Sequence, residues 1–119
     1  MLENQDLSNA AGATINAFID GSGTTTPTTW APPSAVLDAP DTYGHLGLST
    51  SDDIAGFSAN KYIGLSTTTP RTIMSHSGPA NGTTPQIGLA SVVYSVQVSA
   101  LQEAGDYSNI LTYVCTPTY

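Results

Sequence analysis

Residues 89–100, LASVVYSVQVSA, alternate between two faces without a break. Ala90, Val92, Tyr94, Val96, Val98 and Ala100 fall on one face. Leu89, Ser91, Val93, Ser95, Gln97 and Ser99 fall on the other. A period of two with β-branched residues throughout suits a pleated strand and not a helix. The spacing predicts a strand whose first face, centred on Val92, Tyr94, Val96 and Val98, lines a core. LQEAGD (101–106) reads as a connection and YSNILTYVCT (107–116) as the closing strand. Antiparallel pairing of neighbours then predicts a core hairpin over 89–116.

The rest of the chain has the same texture. From residue 34 onward, short apolar runs alternate with turn residues: VLD, TYGHLGLS, KYIGLS and RTIMSH are separated by Pro-, Gly- and Asp-rich stretches. Breakers recur every 8–12 residues or so, and no amphipathic helix longer than about two turns is present. These features predict an all-β fold, an antiparallel β-sandwich, in residues 34–119. Residues 21–33, GSGTTTPTTWAPP, read as a Gly/Thr/Pro linker. Residues 1–20 read as an N-terminal arm carrying the apolar segment ATINAFI (13–19). That segment is expected either as the sandwich's first strand or as a strand donated to a neighbouring copy, the linker being long enough to reach one.

Composition narrows the partners. The chain has 119 residues, one domain's worth. Only 9% are charged, and nine acids face only Lys61 and Arg71, for a net charge of −7. Such a chain cannot neutralise a run of phosphates, so nucleic acid is not an expected partner. Anionic membrane surfaces would repel it, and no apolar run is long enough to insert in a bilayer. Its 17 Thr and 13 Ser take the place of charge, a composition commoner in exported and cell-wall proteins. The acidic start, MLENQD, lacks the basic and apolar regions of a signal peptide, so the sequence reads as a piece of a longer precursor. Cys115 is alone, cannot form an internal disulfide, and is expected as a small buried residue.

Candidate chemical residues are few. His45 and His76 are the only histidines, and no G-x-S-x-G elbow accompanies them. Zinc would need more His or Cys ligands than these. No cofactor or metal is therefore expected, and the reading is non-enzymatic. Asp38, Asp41, Asp52 and Asp53 lie in turns where calcium could bind, although Asp is also an ordinary turn residue. Lys61 is the sole lysine available for an intramolecular isopeptide link. Asn81-Gly82-Thr83 is a formal glycosylation sequon and equally a turn. Trp30, Tyr43, Tyr62 and Tyr119 could stack on sugars, with core packing as the alternative role.

The tail, ALQEAGDYSNILTYVCTPTY (100–119), is the most informative segment. Ala-Gly-Asp-Tyr before a closing strand resembles the tyrosine corner of immunoglobulin-like sandwiches, with Tyr107 returning its hydroxyl to backbone a few residues upstream. With DTYGHLGLSTSDD (41–53) and SHSGPANGTT (75–84), the tail resembles β-rich cell-surface modules of Patescibacteria-type bacteria, over roughly residues 41–119. The resemblance implies an extracellular structural or adhesive module, pilus-like in assembling with copies of itself or with neighbouring modules. A carbohydrate- or host-surface-binding module is the alternative.

Overall fold

The computed structural model describes residues 1–3 and 5–117, and the candidate aromatic Tyr119 lies outside them. Among the described residues there are ten short strands, one 3-10 turn (Pro40–Thr42) and no α-helix. In chain order the strands are β1 (Leu2–Glu3), β2 (Leu7–Ser8), β3 (Thr14–Ala17), β4 (Thr28–Thr29) and β5 (Gly44–Thr50). β6 (Lys61–Gly64), β7 (Thr84–Pro85), β8 (Gly88–Leu89), β9 (Val92–Val98) and β10 (Leu111–Thr112) follow.

The hub is β5, GHLGLST, whose two faces are differently dressed. Leu46 and Leu48 point one way; His45, Gly47 and Ser49 point the other. Along one edge, β5 pairs in parallel with β3 (Asn16↔His45, Ala17↔Leu46) and then antiparallel with β6 (Gly47↔Gly64, Leu48↔Ile63). Along its other edge it pairs antiparallel with β9, from Gly44↔Val98 to Thr50↔Val92. β2 extends the sheet beyond β3, and β4 extends it beyond β6, giving six strands. Gly64 must be glycine: a Cβ there would strike the Phe18 carbonyl and Gly23 Cα.

Each face of β5 has its own cover. On the leucine side, Met1, Ile15, Leu46, Leu48, Ile63 and Leu65 form the buried cluster. On the histidine side, Phe18 stacks on Trp30 with ring centres 4.7 Å apart, and the His45 and Tyr62 rings meet Trp30 edge-on. A Cβ on Gly47 would lie 3.0 Å from the Trp30 ring, so this strand position is small because an aromatic residue occupies its space.

The fold is all-β, as the sequence predicts, but the structure changes three particulars. β9 pairs along its whole length with β5, and not with the tail. The tail's β10 pairs instead with β1 (Leu2↔Thr112, Glu3↔Leu111), so the 89–116 hairpin does not form. The face expected to line the core is largely in water: Tyr94 is 38% exposed, Val96 50% and Val98 48%, with Val92 half-buried. Its β5 neighbours on that side are buried, so the apolar surface runs off the covered area onto an outer strand. Finally, β2, β3 and β4, all within residues 1–33, join the six-stranded sheet, and β1 pairs with the tail. Met1 is buried with its ammonium on the Arg71 carbonyl (2.8 Å), Thr14–Ala17 pair within the chain, and Trp30 is packed.

Candidate functional site

β9 ends the sheet, and the register shows what it presents. Ser51 N–H donates to the Ser91 carbonyl (2.9 Å), and Ser99 N–H donates to the Tyr43 carbonyl (2.7 Å). Both pairs lie in the β5–β9 register. In an antiparallel ladder, hydrogen-bonded pairs recur every second residue. Residues 91, 93, 95, 97 and 99 therefore direct their backbone groups inward to β5. Val92, Tyr94, Val96 and Val98 direct theirs outward, and no strand pairs with them there among the described residues. Their side chains are the exposed apolar face.

Natural sheets protect such an edge with charge, proline or a bulge. Here the run from Gln86 to Gln102 contains no Asp, Glu, Lys, Arg or Pro. More apolar surface lies beside it. Tyr94 and Tyr113 hydrogen-bond through their hydroxyls, and Tyr94 also reaches Met1 Sδ (3.4 Å). That contact brings the tail, with exposed Ile110, Tyr113 and Val114, against the same face.

A second feature lies past the end of β5: an open cleft of about 490 Å³. Ser51, Asp53, Asn60, Gln86 and Ser91 give it hydroxyl, amide and carboxylate groups, and Phe57 and Tyr62 give it ring surface. Asp52 also lines it but is committed elsewhere. It is buried, its Oδ2 accepts from Ser75 N–H (2.8 Å), and its own amide donates to Thr50 Oγ1 (3.2 Å).

The sequence-derived candidates scatter over the molecule. His45 is fully buried; its Nε2 donates to the Ala31 carbonyl (2.9 Å), since a carbonyl can only accept. Nδ1 then accepts from Asp20 N–H (3.3 Å), with Asp20 Oδ1 at 3.4 Å. Both imidazole nitrogens are thus satisfied without a serine hydroxyl. His76 is exposed in a distant loop. Among the described residues, no three His, Cys, Asp or Glu side chains converge as a cation site, and so Asp38, Asp41, Asp52 and Asp53 do not gather. Lys61 donates to Thr29 Oγ1 (2.9 Å). Asn81 closes its own turn, its Oδ1 accepting from Thr83 and Thr84 N–H. Tyr43 Oη accepts from Asp38 N–H (3.0 Å), and Trp30 Nε1 donates to Gln97 Oε1 (2.8 Å). These aromatics are held in the body and form no open strip. Cys115 is exposed, contrary to expectation, because the strand meant to bury it is absent.

Tyr107 Oη donates to the Glu103 carbonyl (2.7 Å), four residues upstream, and accepts from Gln102 Nε2 (2.8 Å). Gln102 also donates to the Thr14 carbonyl (3.0 Å), which joins this corner to β3.

Sequence reasoning missed two buried ionisable residues, Arg71 and Glu3. Arg71 is buried, with Nε on the Gly64 carbonyl (2.9 Å) and its amide on the Met1 carbonyl (2.8 Å). Glu3 is buried near it and accepts from Asn109 Nδ2 (3.0 Å). Burial, aided by Asp6, pushes the Glu3 carboxyl up to about 7, against the opposing pull of Asn109 and Arg71. The only sequence signal was that Arg71 is the sole arginine.

No protein-family model, curated protein or solved structure matches the chain.

Proposed function

We propose that this chain is a non-catalytic structural module of an exported cell-surface protein or appendage, joined to its neighbours through the open edge of β9. The observation that carries the reading is the seven-residue strand with outward-facing backbone groups, an exposed apolar face and no charged or proline residue. Such an edge is a template for a further strand: main-chain hydrogen bonds supply affinity and alternate side chains supply selectivity. The hydroxyl-rich, charge-poor composition supports the extracellular location. The Tyr107–Glu103 bond supports the finer assignment of an immunoglobulin-like sandwich.

Carbohydrate binding is the second reading, favoured by the cleft beside Asp53, Asn60 and Tyr62. It ranks lower because Trp30 and Tyr43 are engaged within the protein and offer no ring platform.

The test is made in the source cells, with the chain's own gene carrying Val96→Pro. The wild-type chain should label on intact cells with a specific antibody and stay in the surface fraction. The variant should fold but be released from it. A wild-type chain found only inside cells, or a variant retained as well as wild type, overturns the reading.

A further inference from the structure

We infer that the strand added to β9 is the β9 of a second copy, antiparallel and centred on Ser95. This rests on the edge-assembly reading above and specifies its partner.

Parity limits the choices. Only Val92, Tyr94, Val96 and Val98 offer backbone groups outward, so in an antiparallel pair these residues must face one another. Twofold arrangements centred on Tyr94, Ser95 or Val96 satisfy that rule. The Ser95 centre alone overlaps the whole strand. It sets Val92 against Val98 and Tyr94 against Val96, each pair exchanging two hydrogen bonds. On the opposite face it sets Val93 against Gln97 and Ser95 against its own counterpart. VVYSVQV is therefore self-complementary: apolar meets apolar on one side, and the small serine lies on the axis where two side chains approach most closely. The apolar faces of the two copies become one continuous surface, because a twofold axis normal to the sheet keeps each face on its own side.

The apolar side chains on that edge lie in water in the single chain, with Tyr94 38%, Val96 50% and Val98 48% exposed, so pairing them removes apolar surface that the isolated chain leaves wet. The absence of charge between Gln86 and Gln102 keeps the −7 of each copy out of the contact.

Three versions of the full chain test this. All carry Cys115→Ser, because Cys115 is exposed and would crosslink by itself. The first has no other change, the second adds Ser95→Cys and the third adds Gln97→Cys. The Ser95 counterparts form a non-hydrogen-bonded pair with Cα atoms ~4.5 Å apart, within disulfide range. Mild oxidation should therefore link the Ser95→Cys chain into covalent dimers roughly tenfold faster than the Gln97→Cys chain. Sedimentation of the first version should show dimers forming as concentration rises, and adding Val96→Pro should leave it monomeric. Proline removes only an outward N–H, so the β5–β9 ladder survives. Should that chain lose its sheet by circular dichroism, Val96→Lys serves instead, placing a charge against Tyr94 of the second copy.

A chain that stays monomeric at millimolar concentration overturns the inference. So does dimerisation with Ser95→Cys crosslinking no faster than Gln97→Cys. Either result leaves edge assembly standing if Val96→Pro still releases the chain from cells; the neighbour is then a different strand. A dimer undisturbed by both Val96 variants overturns the inference and, with retention in cells, the reading beneath it.

Discussion

The Tyr107 hydroxyl donates to the Glu103 carbonyl and accepts from Gln102 Nε2 and, at 3.5 Å, from Asn9 Nδ2. Tyr107→Phe keeps the ring and deletes these bonds, so it should cost roughly 0.5–1.5 kcal/mol. Thermal melting would show it, and a variant melting like the wild type would remove the corner's role. Glu3 makes a different prediction. Its carboxyl, raised by burial from 4.5 to about 7, is favoured neutral in the fold. The folded chain thus holds a proton that the unfolded chain releases between these values. Stability should be fullest below about pH 4.5 in this respect and fall as pH rises through 7. Glu3→Gln keeps an acceptor for Asn109 and cannot ionise. It should flatten that slope and add on the order of 1 kcal/mol at pH 8, solvent screening included. Urea titrations at pH 5 and pH 8 would decide; equal slopes for both proteins would place Glu3 in water.

Among the elements, β9 is legible because period-two alternation with β-branched residues over 89–100 suits a strand, even with Leu89 and Val93 on the polar face. Alternation, however, fixes which side chains share a face and not which face is covered. The apolar character of the face of Val92, Tyr94, Val96 and Val98 points to the core, whereas its exposure follows from β9 being outermost. Its true partner, β5, is obscure: Gly44, His45 and Gly47 interrupt the apolar pattern, Gly47 because Trp30 and Phe18 fill its space and Gly44 because Val98 and Gln102 fill its own. Proximity in sequence pairs the tail with β9, yet Leu111 and Thr112 lie beside Leu2 and Glu3, a pairing no local signal announces. The cleft's Ser and Asn residues were invisible among so many others of their kind. This contrast between strands is measurable. Leu48, fully buried on β5, should cost about 2–5 kcal/mol when cut to alanine. Val96→Ala, on the same face one strand outward, should cost about 0.5 kcal/mol or less in dilute monomer. Similar losses at both sites would mean that the β9 face is covered within one chain.

The whole molecule measures 50 × 26 × 21 Å, and its radius of gyration of 15.4 Å exceeds the ~13.5 Å usual for this length. It is a long body with a thin core, and β9 is the longest of its outer strands. Charge sets how two such bodies meet. Each carries −7, so two copies repel at every distance beyond contact. The β9 edge brings no opposite charges together to offset that repulsion. Added salt shortens the screening length, from ~30 Å at 0.01 M to ~8 Å at 0.15 M, and weakens the repulsion without weakening hydrogen bonds or apolar contact. Assembly through β9 should therefore tighten with salt, by roughly threefold to tenfold between 0.01 M and 0.3 M. An interface built on ion pairs would loosen instead. Sedimentation across that range distinguishes them by the sign of the slope alone. A dissociation constant that rises with salt would place the contact elsewhere on the surface, where Lys61 or Arg71 meets an acid of the next copy.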